Sequence, residues 1–248
     1  MSNFRLIQRR SPNFNHRVKD YVIDILVLHY TGMSSSHAAL EELCNPYKKV
    51  SAHYLIDEDG KCFQLVDEVN RAWHAGRSSW AGNNDVNDRS IGIELVNPGH
   101  EFGYRPFPET QMHSLEMLMK DILSRHPIPP HKILGHSDVA PSRKRDPGEL
   151  FDWHRLAANG IGLWPNQQHD RVSVNVKSIQ LGMRGTAVAD IQKKLSYFGY
   201  NIKTTGHYDR RMQDVVIAFQ RHFRPKQVDG VFDWLCRDLL SDLIGQIE

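Results

Sequence analysis

Cysteine is scarce in this chain: Cys44, Cys62 and Cys236 are three in 248 residues, an odd number with no CxxC spacing. That argues against a disulfide framework and against a thiolate metal site, and predicts reduced, part-buried thiols. Long apolar runs are lacking too. No stretch approaches the roughly eighteen apolar residues of a membrane helix, so no membrane span is expected. The amino terminus MSNFRLIQRRSPNF carries neither an apolar h-region nor a small-residue cleavage site. Read as written, that predicts a cytoplasmic protein, with the periplasm or cell envelope as the alternative if a leader is removed or export is non-standard. An excess of one charge is also missing. Net charge is +2 and no lysine/arginine block stands out, which speaks against a nucleic-acid partner. Neither HExxH nor a cysteine-based zinc pattern occurs. Nothing implies a protein partner.

What is present is ordinary in amount, with 40 % hydrophobic and 24 % charged residues. Such a composition is that of a soluble globular protein, and the length fits one medium domain plus one small one. From residue 1 to about 165 strands and helices mix. The run 21–28 is nearly all apolar, as expected of a strand covered on both faces, and it leads into His29. A helical stretch around His37–Cys44 ends at Asn45-Pro46. Residues 53–56 and 62–66 flank a turn at Gly60, and 90–96 is another short apolar strand. Between Pro108 and His126, the residues Met112, Leu115, Leu118, Met119, Ile122 and Leu123 form one helical stripe. A brief strand over 132–135 then runs into His136. Strands that deliver polar residues at their ends, with helices packed on the sheet, predict an α/β domain with a mixed central sheet flanked by helices.

Asn166–Asp170 is polar and lacks periodicity, so it reads as a linker. Beyond it lie three short helices. The first opens at Gly185-Thr186, and the others are capped by Asp209 and Asp233. They predict a small three-helix domain without a catalytic cluster. The expected division is 1–168 and 169–248.

Fourteen histidines make any single one weak evidence. His29 and His136 stand out because each follows an apolar strand, where an unpaired imidazole is costly. Asp146 lies ten residues after His136, just before Pro147-Gly148. Two imidazoles and a carboxylate suit a catalytic zinc that keeps one position open. Glu94 sits inside Ile-Gly-Ile-Glu-Leu-Val, where a carboxylate is expensive unless paired or functional. Its readings are a structural salt bridge or a general base. Lys144, two residues before Asp146, is either an exposed solvated lysine or the stabiliser of an oxyanion.

The segments His29-Tyr30-Thr31, Arg71-Ala72-Trp73-His74-Ala75-Gly76, Ser90–Glu94 and GHSDVAPSRKRDPG (135–148) occur in one order. Together they resemble the type-2 zinc N-acetylmuramoyl-L-alanine amidases, whose fold is shared with peptidoglycan recognition proteins. The resemblance spans roughly residues 15–165. It implies one catalytic zinc on His29, His136 and Asp146, with Glu94 as general base and Lys144 on the oxyanion. Tyr30, Trp73 and His74 are implied as substrate contacts. An aspartate in place of cysteine as third ligand resembles the bacterial aspartate-ligand branch. Residues 181–232 resemble the type-1 peptidoglycan-binding domain, departing from it at Phe232-Asp233-Trp234. The expected activity is therefore zinc-dependent hydrolysis of the amide between the lactyl group of N-acetylmuramic acid and L-alanine, in peptidoglycan or (anhydro)muropeptides. Two alternatives are a non-catalytic peptidoglycan receptor, disfavoured by the complete ligand set, and a zinc peptidase cutting elsewhere in the stem peptide.

Overall fold

A computed structural model describes residues 5–18, 21–166 and 177–248. Its sheet strands are β1 (Leu6–Gln8), β2 (Phe14–His16), β3 (Ile25–Tyr30), β4 (Tyr54–Ile56), β5 (Cys62–Gln64), β6 (Asn70–Ala72), β7 (Ser90–Leu95) and β8 (Ile133–Gly135). Six of them form one sheet in the order β1-β5-β4-β7-β3-β8, while β2 and β6 make a separate antiparallel pair. Within the large sheet only β4 and β5 run antiparallel; the other neighbours are parallel. The helices are α1 (Ser36–Cys44), α2 (Val86–Arg89), α3 (Gly99–Phe102), α4 (Glu109–Arg125), α5 (His136–Val139), α6 (Trp153–Ala158), α7 (Thr186–Phe198), α8 (Arg210–Phe223) and α9 (Trp234–Gly245). The architecture is the mixed α/β sheet with flanking helices, followed by a helical unit, that the sequence predicts. No helix of the described residues is long and apolar enough to cross a membrane.

Alternation along the central strands decides what each face does. Leu26 and Leu28 of β3, with Ile91, Ile93 and Leu95 of β7, join the stripe of α4 formed by Met112, Leu115, Leu118, Met119 and Ile122. Ile25 and Val27 belong to the opposite cluster, shared with Leu134 and with the buried faces of α7, α8 and α9. His29 continues the Ile25–Val27 row. Register pairs it with Glu94, and Val27 with Gly92. The metal-ligand candidate and the base candidate thus stand side by side at the ends of two parallel strands. The helical unit covers that same sheet face.

The caps read from the sequence are in place: Asp209 accepts the Met212 N–H at 2.9 Å and Asp233 the Cys236 N–H at 3.1 Å. The strand read over 21–28 is β3, and it begins later than the apolar run suggests. Val22 is 57 % exposed and lies outside β3, which extends through His29 to Tyr30. The brief strand read before His136 is β8, and His136 itself opens α5, because the Asp138 carboxylate takes the Gly135 N–H at 2.8 Å and turns the chain there. The expected linker and the boundary at 168/169 fall, apart from Asn166, outside the described residues.

Candidate active site

At the ends of β3 and β7 lies a cavity of about 500 Å³ lined by His29, Tyr30, His74, Glu94, His136, Lys144 and Asp146, among others. Three donor atoms converge there. His29 Nδ1 is 2.9 Å from His136 Nδ1, and Asp146 Oδ2 is 3.0 Å from the first and 2.9 Å from the second. All three residues are buried.

The outer partners of the imidazoles determine where their protons sit. His136 Nε2 lies 3.1 Å from the Ala75 carbonyl, which can only accept, so Nε2 carries the proton and Nδ1 presents its lone pair. Behind His29 runs a longer chain. The Ser90 hydroxyl donates to the Val86 carbonyl at 2.6 Å and so accepts from His74 Nε2 at 3.1 Å. His74 Nδ1 is then an acceptor, 3.0 Å from His29 Nε2. This places the His29 proton on Nε2 and leaves Nδ1 bare. Burial, reinforced by repulsion from His136, pushes His29 down to about 4, so it is neutral at pH 7. The cluster therefore consists of three mutually close acceptors. Two neutral imidazoles and a carboxylate in that state repel one another unless a cation stands among them, and the donor set suits zinc.

Glu94 lines the cavity beside this cluster. Burial first, and the Asp146 charge second, push its carboxyl up to about 8, with Lys144 pulling the other way. Its Oε2 is buried without a hydrogen-bond partner among the described residues. Such a carboxyl has no salt bridge among the described residues and is poised to exchange a proton near neutral pH. Lys144 also reaches the cavity wall, although residues 144–146 are irregular rather than extended.

The three residues expected at the substrate are placed differently from one another. Tyr30 lines the cavity, and its hydroxyl is 2.8 Å from His100 Nδ1. His100 Nε2 in turn faces Glu149 at 3.2 Å. Burial and the Asp146 charge raise Tyr30 to about 12, which keeps the phenol neutral. His74 is 5 % exposed and stands behind His29, where its main contact is the proton chain. Trp73 is not among the cavity-lining residues; its indole N–H donates to Asn15 of β2 at 2.7 Å. Two contributors carry no sequence signal of their own. The Ala75 carbonyl is backbone, and Arg143, beside Lys144 in the chain, donates to the Ala75 and Arg77 carbonyls at 2.8 and 3.0 Å.

A fold with this sheet and a cavity of this chemistry defines the class, a hydrolase. Comparison with known proteins gives the particular family. The family model described as N-acetylmuramoyl-L-alanine amidase matches residues 19–149, and that described as a peptidoglycan binding domain matches residues 184–240. The chain is 38 % identical over 231 residues to the N-acetylmuramoyl-L-alanine amidase AmiD of Escherichia coli K12, covering 85 % of this chain and 78 % of that one. It is 36 % identical over 170 residues to the 1,6-anhydro-N-acetylmuramyl-L-alanine amidase AmpD of Haemophilus influenzae, covering 61 % of this chain and 90 % of that one. Among solved structures, AmpDH3 of Pseudomonas aeruginosa in complex with anhydromuramic pentapeptide superimposes with a TM-score of 0.78 at 31 % identity, over 96 % of this chain and 98 % of that one. AmiD of E. coli, complexed with anhydro-N-acetylmuramic acid-L-Ala-D-gamma-Glu-L-Lys, gives 0.77 at 34 % identity, over 93 % of each. The chain belongs to the N-acetylmuramoyl-L-alanine amidase family.

Proposed function

We propose that this chain hydrolyses the amide between the lactyl group of N-acetylmuramic acid and L-alanine in peptidoglycan or its anhydromuropeptides, using one zinc ion held by His29, His136 and Asp146. The observation that carries this reading is the convergence of three buried donor atoms, 2.9–3.0 Å apart, beside a carboxyl whose buried Oε2 has no hydrogen-bond partner among the described residues. Zinc bound there supplies a water of lowered pKa and a Lewis acid for the scissile carbonyl. Glu94 acts as proton carrier: its carboxylate accepts a proton as water attacks and returns it to the leaving amine of L-alanine. The Lys144 ammonium stabilises the oxyanion, an effect worth about 3 kcal/mol for a well-placed donor. His74 and the Ala75 carbonyl hold the two imidazoles in the ligating tautomer. Tyr30 offers a neutral phenol at the cavity wall for the substrate. No side-chain nucleophile is called for.

Two functional units follow from the same reading: an amidase unit up to about residue 168 and a helical unit from about 169 that grips glycan strands. A sacculus substrate would put the work in the cell envelope, a released muropeptide in the cytoplasm.

The test is metal content and turnover of purified variants. Wild-type protein is expected to hold about one zinc per chain, His29→Ala to lose both zinc and activity, and Glu94→Gln to keep zinc while turnover falls by about 10²- to 10⁴-fold. Zinc-free wild type that still turns over an anhydromuropeptide at full rate would refute the metal assignment. Full activity in Glu94→Gln would remove that residue from the chemistry.

A further inference from the structure

Asp138 is a buried carboxylate, 1 % exposed, two residues beyond His136 and outside the cavity. It accepts three hydrogen bonds. One is local, from the Gly135 N–H at 2.8 Å to Oδ2. The other two come from the helical unit: the Tyr200 hydroxyl reaches Oδ1 at 2.7 Å, and His222 Nδ1 reaches Oδ2 at 2.8 Å. Tyr200 follows α7 and is 1 % exposed; His222 lies on α8 and is 3 % exposed. The His222 ring is itself clamped between Trp153 and Phe223, with ring centres at 3.8 and 4.0 Å.

α5 is only four residues long, too short to hold its own geometry, so its tertiary contacts must set the position of His136. Those contacts come from β8 and β3 on one side and from α8 of the helical unit on the other. The backbone of α5 is tied to Asp146 through the Ser137 N–H, which donates to the Asp146 carbonyl at 2.9 Å. Val139 accepts the Ser79 N–H at 2.8 Å, and two residues on, the Ala81 N–H donates to the Gly199 carbonyl at 2.8 Å. The segment that carries two of the three metal donors is thus gripped on its far side by groups some sixty to eighty positions later in the chain.

We propose that Asp138, Tyr200 and His222 are positioning residues for the metal site, so that the carboxy-terminal helical unit is a structural part of the amidase centre as well as a wall-binding module. Without the two donors the carboxylate keeps a single N–H in an apolar setting, and a buried charge so stripped must find water or move. Either response rotates α5, and His136 Nδ1 leaves the place where it meets His29 Nδ1 and Asp146 Oδ2. This inference rests on the zinc reading given above.

The experiment uses full-length protein. Tyr200→Phe and His222→Phe remove the donors while keeping ring volume and stacking; His222→Asn restores a donor near the Nδ1 position. Zinc affinity is read by competition with a chromophoric chelator, ligand geometry by the visible spectrum of the cobalt-substituted protein, and kcat separately from KM. The double phenylalanine variant is expected to bind zinc about tenfold or more weakly, with an altered cobalt spectrum and a lowered kcat at saturating zinc, KM staying within about twofold. Tyr200→Phe/His222→Asn is expected to recover most of the loss. Zinc affinity and cobalt spectrum indistinguishable from wild type in the double variant would overturn the proposal, whatever happens to thermal stability. Should the double variant not fold, the isosteric Tyr200→Phe alone decides, on the same readouts. Wild type that holds no zinc would instead overturn the metal reading, and this inference with it.

Discussion

Gly92 shows how little room the donor cluster has. A methyl group added there would stand 2.4 Å from His74 Cγ, closer than any real contact. The His74 ring has nowhere to go, with His29 on one side and His53 on the other at ring-centre distances of 5.1 and 5.7 Å. Gly92→Ala is therefore expected to displace His74, break the proton chain to His29 and weaken zinc binding by about tenfold or more, an outcome read by chelator competition. Unchanged zinc affinity in that variant would mean that His74 does not hold the His29 tautomer. The candidates His29, His136 and Glu94 were legible in the sequence because polar side chains beside apolar strands are costly and so conspicuous, while Asp146 stood out only by its place before Pro147-Gly148 and by the family resemblance. Depth was not legible. Nothing in Trp73-His74 tells that the histidine lies behind a ligand while the tryptophan turns to Asn15, and a backbone carbonyl such as Ala75 leaves no mark at all.

At the scale of elements, the parallel pairing of β3 with β7 places His29 against Glu94, and α4 backs the opposite face of the sheet. Glu68, in the loop between β5 and β6, fastens the end of α4. Arg125 and His126 each approach it at 2.8 Å, and Tyr54 of β4 donates at 2.7 Å. Burial raises the Glu68 carboxyl, but these three hydrogen bonds outweigh it and leave the group below its usual value. A depressed folded-state value contributes stability above the unfolded pKa and loses it as pH falls through the folded one. Glu68→Gln should thus cost about 1–3 kcal/mol at neutral pH, with the gap to wild type closing below about pH 4. Denaturant melts at pH 7 and pH 3.5 check this; a gap that does not shrink in acid would assign the effect to packing. α4 and the three carboxy-terminal helices were readable because each repeats its apolar stripe over three or more turns. The strands β1, β2 and β6 carry no buried apolar run framed by turn residues, which is what marked the equally short β4, β5 and β8, and α5 owes its form to Asp138 rather than to propensity.

Over the whole molecule, one apolar cluster runs from Ile25, Val27 and Leu134 through Trp80 and Val139 into α7, α8 and α9. Trp80 is the wedge: it is 1 % exposed, its ring centre lies 4.9 Å from that of Tyr200 and 6.0 Å from that of Phe198, and Gly199 packs flat against it. Sequence periodicity foretold a separate bundle, since each helix shows its own apolar face; which surface those faces would share was hidden, because Trp80 and Val139 look like loop residues. Trp80→Ala is expected to cost about 3–5 kcal/mol in denaturant unfolding. A loss below about 1 kcal/mol would mean that the two units merely touch.

Which bond is cut decides whether this protein is an amidase of muramyl peptides. Mass spectrometry of an anhydro-N-acetylmuramyl peptide digested with zinc-loaded protein, beside a Glu94→Gln control, reads this directly. The expected products are free anhydro-N-acetylmuramic acid and an intact peptide beginning with L-alanine, absent from the control. Fragments that keep L-alanine on the lactyl group, with cleavage further along the peptide, would contradict it.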